Sequence, residues 1–229
     1  MDHACHGTKI VAWALGRTAS LEDLKLTYGN EIRLGIAPGA RAIVVSAMTG
    51  ALTQESGTIV QFKNALNWAV RNRRRQFPFD IICLAVELVG LSHTSKLVFG
   101  RILAQMEREQ LVAIVAAGNN GPLSLPLGSC GTYIGALGRD GSKMSYTGSR
   151  VDLWAPGDDL FCAHPLTPQL NGALIGKYSG TSLATAIVAG AVAGVASKAK
   201  ITANEALQAL KVTADSENRI NIDRAIWGL

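Results

Sequence analysis

A hydroxyl, an imidazole and a carboxamide lie far apart in this chain, each in a setting suited to nucleophilic chemistry. Ser182 sits in Gly180-Thr181-Ser182-Leu183-Ala184-Thr185-Ala186, ahead of an apolar, small-residue run that reaches Ala196. A tight turn at Tyr178-Ser179-Gly180, followed by a run with no breaker, reads as loop into helix. Ser182 then stands at the helix start, where unpaired N–H groups and the positive end of the macrodipole suit a group facing developing negative charge. A lone serine there is equally an N-cap. Asn119 lies in Gly118-Asn119-Asn120-Gly121-Pro122, just after an apolar strand. Its amide is either ordinary turn chemistry or an N–H donor to a bound oxyanion. His6 opens a short helix, where the dipole disfavours the imidazolium and leaves a neutral ring. Its plainer role is a cap or a surface contact.

Other reactive residues form weaker groupings. His3, Cys5 and His6 cluster, as do Cys162 and His164, but neither spacing matches a metal-site template, so no metal ligand is assigned. The four cysteines show no CxxC pair and no disulfide framework. Cys83 lies in an apolar run and reads as a buried thiol. Asp158-Asp159 reads as a solvated loop pair. Arg71-Asn72-Arg73-Arg74-Arg75 is the densest charge in a chain of net charge +5. It reads as a helix end whose cations complement the dipole. No aromatic residue is interleaved, so nucleic acid is not an expected partner.

These side chains need a scaffold, and the pattern supplies one. Helices are expected over 6–15 (apolar and buried), 58–71 and 95–110, the second with Ile59, Phe62, Ala65, Leu66 and Ala69 at helical spacing. A turn at Gly35-Ile36-Ala37-Pro38-Gly39-Ala40 leads into 41–46, a β-branched run that reads as a buried strand. Further strands are expected over 80–86, 111–117 and 133–137. Thr202-Ala203-Asn204-Glu205 is a capping-box pattern opening a last surface helix. Strands that are nearly continuously apolar, alternating with helices, argue a parallel sheet covered on both faces. Ligands in such folds bind beyond the carboxyl ends of the strands, where Asn119 lies.

Length and composition agree. A chain of 229 residues is one domain or at most two small ones, and 48% hydrophobic with 17% charged residues describes a packed globular protein rather than a disordered one. The apolar stretch from Leu183 to Ala196 is short and small-sided for a bilayer. Gly190 and Gly194 read as a close helix-packing face, so no membrane partner is expected. The N-terminus is polar and lacks the apolar core of a signal peptide, which favours the cytoplasm without fixing the compartment.

Three pieces fall in one order: His6-Gly7-Thr8 opening a helix, Ala116-Ala117-Gly118-Asn119 ending a strand, and Gly180-Thr181-Ser182-Leu183-Ala184-Thr185 opening a buried helix. With Gly35-Ile36-Ala37-Pro38, Ala155-Pro156-Gly157 and Ile220-Asn221-Ile222, the chain resembles the subtilisin-like serine protease family (subtilases, peptidase S8). The resemblance runs from His6 nearly to the C-terminus. It implies a three-layer αβα sandwich with a mainly parallel central sheet, as a single catalytic domain over 1–229. It also implies roles: Ser182 as nucleophile, His6 as the base that later protonates the leaving amine, and Asn119 as oxyanion donor. Gly118 and Glu87-Leu88-Val89 are the implied substrate-binding residues. The implied partner is a peptide or protein substrate laid along the cleft as an added strand. No cofactor is implied, and the family's calcium loops have no match here.

The departures bear on function. The family carries its triad aspartate on a first strand, in an Asp-Ser/Thr-Gly setting well upstream of the histidine. Here Met1 lies five residues before His6. The resemblance therefore implies a domain truncated at its N-terminus relative to the family. The third acid would come from upstream sequence, a partner chain or an unorthodox residue. Asp2 falls where relatives have a loop residue and is not expected to replace it. Losing the orienting carboxylate lowers turnover by about 10⁴, because the imidazole takes the wrong tautomer. Lys9 stands in place of a frequent second histidine, and Ala186 in place of the usual proline. Glu87-Leu88-Val89 stands in place of Ser-Leu-Gly, so Val89 crowds the first specificity pocket and Glu87 adds an acid; its plainer role is a surface strand end. Two readings follow: a serine endopeptidase with an incomplete triad, or an inactive pseudoprotease kept as a binding or regulatory scaffold.

Overall fold

The computed structural model describes residues 6–16, 18–20, 31–33, 35–47, 49–51, 54–56, 59–75, 78–87, 92–163 and 175–228. In chain order the elements are α1 (His6–Leu15), β1 (Thr18–Ser20), β2 (Glu31–Arg33), β3 (Thr49–Ala51), β4 (Gln54–Ser56), α2 (Ile59–Asn72), β5 (Ile81–Leu84), α3 (His93–Arg108), β6 (Val112–Ala116), β7 (Thr132–Leu137), β8 (Leu153–Pro156), β9 (Leu160–Ala163), β10 (Ile175–Tyr178), α4 (Thr181–Ala199), α5 (Ala203–Thr213) and α6 (Ile222–Trp227).

The central sheet runs β5-β6-β7-β8 and is parallel throughout, with Ile81 opposite Val112, Ile114 opposite Thr132 and Ile134 opposite Leu153. Every residue of β6 and β7 is buried, which is why these strands are apolar without alternation. Strand pleating sends alternate side chains to two separate cores. Val112 and Ile114 join Ile134, Leu153 and the inner faces of α4, α5 and α6. Ala113 and Val115 join Phe62 and Leu66 of α2 with Phe99 and Leu103 of α3. Phe62 and Phe99 meet with ring centroids 5.4 Å apart. The sheet is thus the middle of three layers.

The long central helix α4 lies against the sheet. Of its residues 181–192, all but Ser182 are buried. By length and composition it is apolar enough to cross a bilayer. A helix apolar on every side is one surrounded by other elements, here the sheet, α1, α5 and α6. Gly190 lets α1 approach, since a Cβ there would lie 2.8 Å from the Ala14 carbonyl oxygen and 2.9 Å from Ile36 Cβ. The capping box of α5 forms as expected: Glu205 N–H donates to Thr202 Oγ1 at 3.2 Å, and Thr202 N–H donates to the Glu205 carboxylate at 2.8 Å.

Several expectations need correction. Residues 41–46 do not form a strand, and they are exposed, with Val44 at 70%. A β-branched run favours extended backbone, but a strand also needs a partner ladder, and none of the described strands pairs with it. α1 is half-buried rather than buried: it packs on α4 and β9, and none of its residues is fully enclosed. α3 begins at His93 rather than Ser95, since Ser92 caps it by accepting from Ser95 N–H at 3.2 Å. The start expected at Thr58 lies outside the described residues; α2 is described from Ile59. β8 and the antiparallel ribbon β9–β10 were not expected as strands. β8 is held at its outer side by the closing stretch, through Trp154 N–H to the Asn218 carbonyl at 2.8 Å and Ile220 N–H to the Trp154 carbonyl at 3.0 Å.

Candidate active site

The start of α4 and the carboxyl ends of β5 and β6 converge on one spot. Gly180, not Ser182, is the N-cap residue. Its φ of 151° with ψ of 155° favours glycine, and a Cβ there would face the Asn119 carboxamide at 3.6 Å. Gly180 N–H donates to the Gly157 carbonyl at 2.7 Å, which joins the Ala155-Pro156-Gly157 turn to the helix mouth. Freed from capping, Ser182 is the second residue of the helix, half-buried, with its hydroxyl donating to the Ala85 carbonyl at 3.0 Å. Ala85 follows β5, so the hydroxyl is held at that strand's carboxyl end.

Asn119 is exposed where β6 ends, and its orientation is fixed by Thr181. The Asn119 Oδ1 accepts from Thr181 N–H at 2.9 Å and from the Thr181 hydroxyl at 3.1 Å. That hydroxyl in turn accepts from Gly118 N–H at 3.2 Å. With Oδ1 committed to two donors, the amide nitrogen is the end turned away from Thr181. Its two N–H groups are what the carboxamide can offer a ligand. Thr185 completes the helix start by bonding the Thr181 carbonyl at 2.7 Å.

Glu87 is tied into the same loop. Its carboxylate accepts from Asn119 N–H at 2.9 Å, from the Asn120 side-chain amide at 3.0 Å and from the Ser124 hydroxyl. Ser124, itself buried, also accepts from Asn120 N–H at 2.8 Å. Gly118 has φ of 99°, and any side chain there would run into Ser124 and Glu87, so the loop requires glycine. Leu88 and Val89 lie outside the described residues, as do Asp2, His3, Cys5 and His164.

His6 opens α1 and is half-buried. The direction of α1 follows from two contacts. Lys9 Nζ lies 3.5 Å from the centre of the Tyr178 ring, just before α4, and Ala14 meets Gly190 farther along it. The two helices therefore run in the same sense, and His6 begins its helix at the end of the molecule where Ser182 begins its own. Trp13 on α1 donates its ring N–H to Cys162 Sγ at 3.3 Å. Burial pushes the Cys162 thiol up, partly offset by that bond and by Lys9. Burial pushes the Cys83 thiol up to about 12, so it stays protonated.

Of the residues named from the sequence, the structure brings Ser182, Asn119, Gly118 and Glu87 together, while His6 stands at the same end of the molecule and Leu88 and Val89 lie outside the described residues. Sequence reasoning missed Thr181, Ser124 and the Ala85 carbonyl. Thr181 stood beside the serine as a second hydroxyl, a usable signal. Ser124, in a proline-rich loop, carried none.

A hydroxyl at a buried helix mouth and a donor amide oriented beside it thus lie together at the carboxyl edge of a parallel sheet. The chain belongs to the Subtilase family, which it matches over residues 1–226. It is 28% identical to Subtilisin amylosacchariticus of Bacillus subtilis subsp. amylosacchariticus over 86% of this chain and 47% of the relative. It is 26% identical to Subtilisin-like protease 5 of Arthroderma benhamiae over 92% of this chain and 48% of the relative. The chain thus spans about half the length of these relatives. The fold is similar to that of the protease domain of PatA, with a TM-score of 0.70 at 20% identity over 96% of this chain and 78% of that one. It is also similar to a chain of the subtilase cytotoxin SubAB assembly, with a TM-score of 0.65 at 22% identity over 96% and 75%.

Proposed function

We propose that this chain is the catalytic part of a serine endopeptidase. Ser182 leaves the Ala85 carbonyl, gives its proton to His6 and adds to the scissile carbonyl of a peptide laid along the cleft. The oxyanion that forms is met by Asn119 Nδ2–H and by the Ser182 backbone N–H at the start of α4. His6 then passes the proton to the leaving amine, and water releases the acyl group by the reverse sequence. No cofactor takes part. The observation that carries this reading is the pair of hydrogen bonds from Thr181 to Asn119 Oδ1, which turns the amide N–H groups outward before any substrate arrives.

Glu87 serves this reading by holding the donor loop, with three internal donors on its carboxylate. Gly118, Leu88 and Val89 complete the substrate side. The carboxylate that orients His6 comes from a segment beyond the described residues or from a partner chain, added as a strand. Two features support this. β5 is the end strand of the described sheet, and the apolar residues Ile43, Val44 and Val45 are exposed at 42%, 70% and 42%. An open edge and an uncovered apolar run are what strand addition consumes.

The second reading is an inactive scaffold. It is favoured by the Ser182 hydroxyl, whose single proton is directed at the Ala85 carbonyl. Treatment with a fluorophosphonate separates the two. The protease reading expects an adduct on Ser182 that Ser182→Ala abolishes, whereas absence of labelling under all conditions overturns it.

A further inference from the structure

We infer that a second site, at the other edge of the sheet, binds a compact multivalent oxyanion. α2 ends at Asn72 ahead of β5, and α3 ends at Arg108 ahead of β6. Their C-terminal ends therefore lie at the amino edge of the sheet, opposite Asn119 and Ser182. A cavity of about 530 Å³ opens there, lined by Arg71, Arg73, Arg74, Arg75 and Arg108. One acid, Glu109, and one apolar residue, Val70, complete it.

Helix-end electrostatics account for only part of this cluster. Arg71 and Arg108 lie in the last turns of α2 and α3, where cations complement the dipole. Arg73, Arg74 and Arg75 follow the end of α2. Arg73 is only 7% exposed, and its Nη2 donates to Asp80 Oδ1 at 3.2 Å. Its Nε and Nη1 are buried and have no hydrogen-bond partner among the described residues. A buried guanidinium with two unmatched donors is costly unless an acceptor reaches it. Glu109 does not fill that role, because its carboxylate accepts from Gln105 Nε2 at 3.0 Å and it forms no ion pair with these arginines.

The ligand chemistry follows from the lining. Guanidinium forks match phosphate and carboxylate oxygens in pairs. Five of them around one cavity repel each other, and a multivalent anion relieves that repulsion. Among the described residues the lining has no aromatic face on which a base could stack, so the site suits a small polyanion rather than a nucleic acid.

The test is calorimetric titration of the 229-residue chain with tripolyphosphate and, separately, citrate, at ionic strength matched with sodium chloride. Saturable binding is expected, weakened at least tenfold in Arg74→Ala/Arg75→Ala and in Arg73→Met. Arg101→Ala, an exposed arginine of α3 outside the cavity, is the control and is expected to bind as wild type. Binding of tripolyphosphate alone would identify a phosphoryl ligand, and of citrate alone a carboxylate ligand. No saturable binding of either, or equal weakening by Arg101→Ala, overturns the site. The result is independent of whether Ser182 labels.

Discussion

Thr181 grips the Asn119 carboxamide oxygen twice, through its backbone N–H at 2.9 Å and its hydroxyl at 3.1 Å. The two residues are 62 positions apart in sequence, yet this contact sets which end of the amide faces the cleft. It joins the start of α4 to the end of β6, and so, in the protease reading, the nucleophile's helix to the donor's strand. The two groups that must act on one carbonyl therefore cannot move independently.

Removing the donor tests the reading most directly. Asn119→Leu is expected to lower kcat roughly 100- to 1,000-fold with KM nearly unchanged, the range established for subtilisin's own donor. Thr181→Val keeps the volume but loses the hydroxyl. It is expected to lower kcat about tenfold, and to cost about 1–3 kcal/mol of stability because Gly118 N–H loses its buried acceptor. Steady-state kinetics and urea denaturation read both effects.

Glu87 distinguishes loop positioning from substrate recognition. If its carboxylate holds the Asn119 loop, Glu87→Ala lowers kcat about tenfold, and Glu87→Gln, whose amide oxygen still accepts from Asn119 N–H, recovers most of it. A residue that instead pairs with a basic substrate side chain would raise KM for basic substrates and leave kcat alone. Kinetics on peptides with arginine or alanine before the scissile bond separate these outcomes.

The two glycines of α4 are expected to behave oppositely. At Gly190 an added methyl lies 2.8 Å from the Ala14 oxygen, so Gly190→Ala pushes α1 outward and costs about 1–3 kcal/mol. At Gly194 the nearest atom is Ile36 O at 3.8 Å, so Gly194→Ala fits and gains about 0.5–1 kcal/mol of helix propensity. Because α1 carries His6, Gly190→Ala is also expected to lower Ser182 labelling.

Cys83 is expected to resist alkylation in the native state. Its thiol is raised by burial from 9.0 to about 12, so at pH 8 almost no thiolate is present. The folded state holds that proton more tightly than the unfolded one, so its contribution to stability is full below about pH 9 and falls as pH rises towards 12. Iodoacetamide mapping by mass spectrometry at pH 8, with and without denaturant, tests the first point. Urea melts of wild type and Cys83→Ala between pH 8 and 11 test the second.

Much of this architecture was legible along the chain. The unbroken apolar runs that became β6 and β7 imply strands buried on both faces, whichever residues lie opposite. The small, apolar run after Ser182 implies a core helix, and Thr202 with Glu205 marks the start of α5. All of these depend on neighbours within a few residues, where periodicity and capping chemistry operate. Residues 41–46 had the composition of a strand, but a strand also requires a ladder partner, and composition does not name one. Gly180 rather than Ser182 as the cap, Glu87 turned inward to three donors, and Thr181 on Asn119 belong to the same class. Each depends on hydrogen bonds between segments that meet only once the helices have packed on the sheet. Residue type advertises a capacity to donate or accept; which partner takes it up depends on the folded arrangement in space.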